Sequence, residues 1–379
     1  MIEVIELRTI AELERVRVEW DELTERVGAS VFLSHGWFMA CARNLSTTES
    51  LKILMLRDAG RLVGIAPLMN SRTSLRRMPL HQVGFLVNVL SPFCDFILED
   101  VEQGIRAILT YLFTSGGFDV FNCSKLLATS SSAPVLQKEL ERLGVKGYPR
   151  QIAEVVYLPI AGPWEDFYNA KSRKFRMTRR SVANKISRLG EISVECASTP
   201  DELRPALGSL LQLSALGWKR KEKRDLLAED AERDLLTALV GWGSSAGNVR
   251  IWLLKAGNDV IAAEFHLVDG TTVYGIRAQY DPQHFSYSPG RALDYEIVER
   301  LFKEGFTTYD MGPGVAEYKR NWTDSSYSVL QVEAFPKRLY PQLVAQLHYK
   351  WVPALKQSRV GQSLTGRSEQ PCPTDNTES

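Results

Sequence analysis

The sequence predicts an α/β chain with a mixed, largely antiparallel central sheet, built from two related halves. Three observations carry this reading. At 379 residues the chain exceeds one ordinary compact domain, and both a β-hairpin signature and a helix–glycine–strand signature occur twice.

The elements repeat in order. Thr9-Ile-Ala-Glu-Leu and Thr199-Pro-Asp-Glu-Leu each open a helix leading to a Trp. Leu51 to Met69 (LKILMLRDAGRLVGIAPLM) and Val249 to His266 (VRIWLLKAGNDVIAAEFH) each read as a β-rich run, a glycine-containing turn and a second apolar run. Leu112 to Asn122 (LFTSGGFDVFN) and Leu301 to Asp310 (LFKEGFTTYD) each read as a helix end, a glycine stop and a short strand. The matches lie roughly 190 residues apart, so each half is expected to run helix, helix, hairpin, strand, helix, strand. Gly147, Pro149, Pro159 and Pro163 interrupt the periodic pattern, which predicts an N-terminal domain over 1–150 and a C-terminal one over 151–345. The polar, Pro-containing stretch 357–379 reads as a disordered tail.

Composition narrows the function. A 44% hydrophobic, 24% charged chain can bury two moderate cores, and a net charge of +1 gives no global field for nucleic acid or an acidic membrane. Met1 to Val18 lacks an apolar signal core, and no stretch reaches the ~20 apolar residues of a membrane helix. Cys41, Cys94, Cys123, Cys196 and Cys372 are scattered without ligand spacing, so no metal site and a cytoplasmic, reducing location are expected. No P-loop is present.

The halves differ where chemistry would sit. Phe285-Ser-Tyr-Ser-Pro-Gly-Arg-Ala-Leu opens a helix, with Ser288 at the cap and Pro289 in the first turn. Unpaired backbone N–H groups there, close approach at Gly290 and the charge of Arg291 suit a pyrophosphate. The corresponding stretch of the first half, Leu90-Ser-Pro-Phe-Cys-Asp-Phe-Ile-Leu-Glu-Asp-Val, turns acidic before its helix and would repel one. Glu264 and His266, two apart on one strand, face the same side, and their counterparts are Pro67 and Met69. They read as acid–base groups or as a polar pair beside a groove. Asp310, before Met311-Gly-Pro-Gly, reads as a base, an amine anchor or a turn cap. The helix Lys171 to Gly190 carries eight cations and no acid, with Phe175, Val182 and Ile186 as a narrow apolar stripe. It reads as a solvated face or as a contact for a CoA phosphate, an anionic acceptor or tRNA.

The segment SYSPGRALDYEIVERLFKEGFTTYDMGPGVAEYKRNWTD, with the basic helix before it, resembles the CelD-type branch of the GNAT (Gcn5-related) acyltransferases. Members of that branch combine two GNAT-like domains, as the FemAB aminoacyl transferases do. The resemblance covers roughly Trp164 to Phe335 well and the first half loosely, and only Gly290 remains of the usual glycine pattern in the loop. It implies two tandem GNAT-like domains and direct transfer of an acyl group from acetyl-CoA or another acyl-CoA to a small-molecule primary amine. The pyrophosphate would lie on Ser286, Tyr287, Ser288, Pro289, Gly290 and Arg291. Glu264, His266 or Asp310 would take the amine proton, Tyr318 would protonate the thiolate, and Lys319 and Arg320 would hold substrate or phosphate. The FemAB relatives accept aminoacyl-tRNA, so that donor stays open, as does a non-catalytic binding role.

Overall fold

In the computed structural model, which describes residues 2–216 and 226–351, each half of the chain completes its sheet with a strand from the other. The expected tail, 357–379, with Cys372 in it, lies outside the described residues.

The first half runs β1 (Glu3–Leu7), α1 (Ile10–Arg15), α2 (Arg17–Arg26), α3 (His35–Arg43), β2 (Ser50–Asp58) and β3 (Arg61–Leu75). It continues with β4 (Met78–Phe85), β5 (Ile97–Leu98), α4 (Val101–Ser115), β6 (Val120–Leu127), α5 (Ser132–Arg142) and β7 (Gly147–Pro159). The second half runs α6 (Trp164–Ala170), α7 (Arg173–Ile186), β8 (Ile192–Ala197), α8 (Pro200–Leu216), α9 (Leu226–Ala246), β9 (Val249–Ala256) and β10 (Asp259–Asp269). It ends with β11 (Thr272–Tyr280), α10 (Pro289–Glu304), β12 (Thr308–Pro313), α11 (Glu317–Arg320), β13 (Ser326–Ala334) and α12 (Leu339–Gln346).

The strands form one sheet in the order β1-β2-β3-β4-β6-β13-β7-β12-β11-β10-β9-β8, with β5 pairing β3. From either edge inward the pattern is the same: antiparallel neighbours, one parallel step (β4 to β6, β11 to β12), then an antiparallel strand. That last strand is exchanged. β7 follows α5 but pairs with β12, whereas β13 follows α11 but pairs with β6, and the two pair with each other. The stretch expected to break the pattern, around Gly147, Pro149 and Pro159, is therefore a strand at the centre of the sheet. Pro149, which cannot donate a ladder bond, lies near the start of β7, opposite Val332 of β13.

Local chemistry repeats as the topology does. Thr9 caps α1 while the Glu12 carboxylate accepts from the Arg8 and Thr9 N–H groups. At α8 the Glu202 carboxylate accepts in the same way from the Ser198 and Thr199 N–H groups.

A large core joins the first-half helices to α8, α9 and one face of β9 and β10, through Ile251, Leu253, Ala263, Phe265 and Leu267. A second core packs α6, α7 and α10 on the opposite face, around Trp252, Val273, Leu293 and Tyr309. The expected apolar stripe of α7, Phe175, Val182 and Ile186, is its buried face, and Trp322 is buried with it. His35 is buried and donates through Nε2 to Leu13 O at 2.8 Å, while His81 is exposed.

The halves also touch through helices. A Cβ on Gly36 of α3 would lie 1.9 Å from Nε1 of Trp242 on α9, so glycine permits that approach. Gly36→Ala is expected to overpack this contact and destabilise the protein by about 1–3 kcal/mol. A urea-unfolding midpoint equal to the parent's would show that the indole simply moves aside.

Candidate active site

Glu264 and His266 lie on β10, which has strands on both sides and the α10 layer above, so both side chains are cut off from water. The pair stands 2.9 Å apart, His266 Nε2 to Glu264 Oε2, and the Tyr309 hydroxyl of β12 donates to the same oxygen at 3.4 Å. A second acid enters from α10: the Asp294 carboxyl hydrogen-bonds to Glu264. A small cavity of about 20 Å³ reaches Asp294 from Arg291, Tyr318 and Asn321.

Burial decides the charges here. It pushes Glu264 up to about 7, against the opposing pull of its bonds to Asp294 and Tyr309. It raises Asp294 well above the carboxylate range, and the neighbouring Glu264 charge and their mutual bond raise it further. It holds His266 down to about 3, so the imidazole is neutral. Two acids with one proton between them, beside a neutral imidazole, form a pair that gains or loses its charge near neutrality. His266 Nδ1 and Trp252 Nε1 have no hydrogen-bond partner among the described residues, and their rings lie 6.4 Å apart.

The approach to this pair is shaped by two strands that part. β11 and β12 run in register only from Thr272–Thr308 to Tyr274–Asp310. There a Cβ on Gly312, at φ 74°, would lie 3.0 Å from Gly275 O, so the two backbones pass at a distance glycine allows. Beyond it β11 continues to Tyr280 and the loop preceding α10.

In that loop Ser286 and Arg291 are exposed, Tyr287, Ser288 and Gly290 half-buried, and Pro289 buried. Ser288 occupies the cap position, but in the left-handed region (φ 57°, ψ 51°), and its side chain makes no capping bond. The reason is local: Ser288 also ends the 3₁₀ turn Pro282–Tyr287, where its N–H bonds to Phe285 O. The first turn of α10 therefore has no side chain on its N–H groups. A Cβ on Gly290 would meet only Tyr280, at 3.8 Å.

Other expected residues have structural partners. Asp310 accepts from the Gly312 N–H at 2.8 Å and from the Tyr327 hydroxyl at 2.6 Å, which is the turn-capping arrangement. Lys319 is buried, its ammonium donating to Gly312 O and Pro313 O at 2.9 Å each. Arg320 pairs with Glu154 at 2.6 Å and donates to Asp324 O. These two cations tie down the loop after β12. Tyr318, from the same loop, is 43% exposed; burial of its inner part, with Asp294 and Glu264 nearby, pushes its phenol up to about 12. Asp294 was not among the residues expected from the sequence. It stands one turn before the fully buried Val298 in the apolar stripe of α10, and an acid at that spacing was the available signal.

The first half closes the equivalent place. Lys125 of β6, in the left-handed region at φ 64°, donates to Asn88 O at 2.7 Å and Ser91 O at 2.6 Å, pinning the loop after β4. Burial lowers that ammonium to about 8.

Between the halves lies a cleft of about 790 Å³, lined by Cys41, Val89, Lys125, Leu211, Glu232 and Arg277 among others. Arg277 pairs with Glu232 at 2.8 Å.

Comparison with known proteins agrees with this architecture. Residues 173–320 match the family described as "Acetyltransferase (GNAT) domain". No curated protein matches the chain in sequence. The crystal structure of FemX is 14% identical, with a TM-score of 0.57 over 91% of this chain and 100% of that one. The C-terminal (DUF2156) domain of a putative lysylphosphatidylglycerol synthetase from Agrobacterium fabrum is 11% identical, with a TM-score of 0.53 over 93% and 99%. L-PGS from Bacillus licheniformis is 12% identical, with a TM-score of 0.50 over 89% and 95%. These likenesses are of fold: a mixed α/β architecture with a large mixed sheet, within which residues 173–320 match the GNAT acetyltransferase domain family.

Proposed function

We propose that the protein transfers an acyl group, most simply acetyl, from acyl-CoA to a primary amine by direct attack, with the second half as the catalytic one. The observation that carries this reading is the Glu264–Asp294 carboxyl pair, Glu264 buried and Asp294 half-buried, beneath the uncapped start of α10 and within the family-matched segment.

The residues present fit an acyl-CoA. The N–H groups of Gly290 and Arg291, the αL turn at Ser288 and the Arg291 guanidinium would hold the pyrophosphate. Ser286, Tyr287 and Pro289 would shape its edge. Bound there, the thioester would supply the electrophilic carbonyl carbon between the parting strands. The amine nitrogen bonds to that carbon and the carbon–sulfur bond breaks. Glu264, sharing a proton with Asp294 and oriented by His266, accepts the proton the amine gives up, through Asp294 or a bridging water. Tyr318, whose high pKa keeps it protonated, returns a proton to the departing thiolate. Asp310, Lys319 and Arg320 contribute by fixing the loop that carries Tyr318.

The acceptor would enter from the cleft between the halves, and an amino sugar or cell-envelope precursor is the class the family resemblance implies.

A second reading rests on α7. Arg173, Lys174, Arg180, Lys185 and Arg188 are exposed and have no acidic partner among the described residues. A polyanionic donor such as aminoacyl-tRNA would suit that face.

Thermal melting separates the two readings. Acetyl-CoA and CoA are expected to raise Tm, and Gly290→Glu to abolish the shift while leaving the apo Tm unchanged. No shift with either, together with a salt-sensitive shift with total tRNA, would sink the CoA reading.

Glu264 itself offers two measurements. Glu264→Gln should lower kcat by about 10²–10⁴-fold and remove a rising pH limb near 7. Stability responds in the opposite sense. A carboxyl whose pKa is raised by folding holds its proton longer in the folded state, so stability falls as pH rises from the unfolded value towards 7. The Gln variant lacks that loss, so its Tm relative to the parent should rise between pH 5 and pH 8. A pH-independent difference would mean that Glu264 is not the titrating group.

A further inference from the structure

The last described segment, α12 and the π-helical turn Leu347–Trp351, rests on the first half through one side only. Val344 and Ala345 join Leu80, Val120 and Phe335 in a small apolar cluster. The other side is bare: Leu339 is 94% exposed, Leu343 43% and Trp351 48%. Tyr340, 40% exposed, donates through its hydroxyl to Pro79 O at 2.7 Å, which brings the β3–β4 turn alongside. Single exposed apolar side chains are ordinary, but several on one short segment form a patch.

Cations frame this patch. Arg76 and Arg77 occupy the β3–β4 turn, both exposed. Arg150 of β7 and Arg76 lie close enough to His348 that, after burial, their charges help hold its imidazole low. Lys146 sits 5.0 Å over the Tyr148 ring, which stacks on Tyr349 at 4.0 Å. Lys337 and Lys350 flank the helix and its final turn. None of these six has an acidic partner among the described residues; Arg338, paired with Asp119, is the neighbour that does. The whole chain has a net charge of only +1, so this is a local concentration.

We propose that this face docks the protein on an anionic lipid surface. Leucine and tryptophan side chains enter the boundary between headgroups and acyl chains, while the surrounding lysines and arginines meet lipid phosphates. Charge complementarity selects this occupant. A second copy docked by a two-fold axis would set the ring of cations against itself. No described helix is long and apolar enough to cross a membrane, and the contact proposed is peripheral. This contact does not rest on the enzymatic reading.

Co-sedimentation of the full chain with vesicles tests it. The protein should sediment with phosphatidylcholine–phosphatidylglycerol vesicles and not with phosphatidylcholine alone. Raising salt should release it, as screening of surface charge requires. The double substitution Leu339→Glu with Leu343→Glu should weaken binding at least tenfold, and Arg76→Glu with Arg77→Glu should do the same. Both pairs are exposed, so each variant should keep the parent's Tm. Failure to bind anionic vesicles would overturn the proposal, as would binding by both variants as tight as the parent's. So would a concentration-dependent dimer, lost in the leucine variant, in a protein that ignores vesicles.

Discussion

Hydrogen bonding between β7 and β13 at the centre of the sheet is the constraint on which the rest depends. Each of these strands leaves its own half and completes the other, so neither half can satisfy its backbone alone. A strand that pairs on both sides has no free edge, whereas a half without its exchanged strand would expose one. The exchange also positions the helices downstream of each strand. It delivers α6 and α7 onto the second half, against α10, and α12 onto the first half, beside the β3–β4 turn. The packing of α6 and α7 against α10 and the bare face of α12 are both consequences of where those two strands go.

Within the second half, two acids packed together fix the charge state of the candidate site. Carboxylates without water are costly unless they share protons or find donors. Glu264 and Asp294 share a proton, and the pull of Arg291 on Asp294 is smaller than the effect of burial. A structural role would be served as well by an apolar pair of the same volume. Retaining two acids and a neutral imidazole at that depth leaves a group that exchanges protons near pH 7, the property a general base for an amine needs.

The two halves show how one backbone supports different ends. Both have a parallel strand pair that parts before a helix. In the first, the Lys125 ammonium bonds two carbonyls of the intervening loop and fixes it shut. In the second, the loop closes on a left-handed serine, and the helix begins with its N–H groups uncapped. A half-buried lysine pinning a loop and an open helix start are opposite answers at equivalent places.

Much of the fold was legible in the sequence because it is written in local patterns. Glycine stops, hairpin turns and the spacing of apolar residues identified the repeat, the mixed sheet and the buried stripe of α7, since each depends on neighbours a few residues away. The loop at Gly290 and the facing of Glu264 and His266 were readable for the same reason. Tertiary structure alone decided three things. It placed Asp294 against Glu264 from an element thirty residues on, committed Lys319 and Asp310 to the loop after β12 and Arg320 to Glu154 of β7, and turned the apparent break around Gly147, Pro149 and Pro159 into a central strand. Those outcomes depend on which surfaces meet across the fold and how far water is excluded from them, and spacing along the chain carries no measure of either.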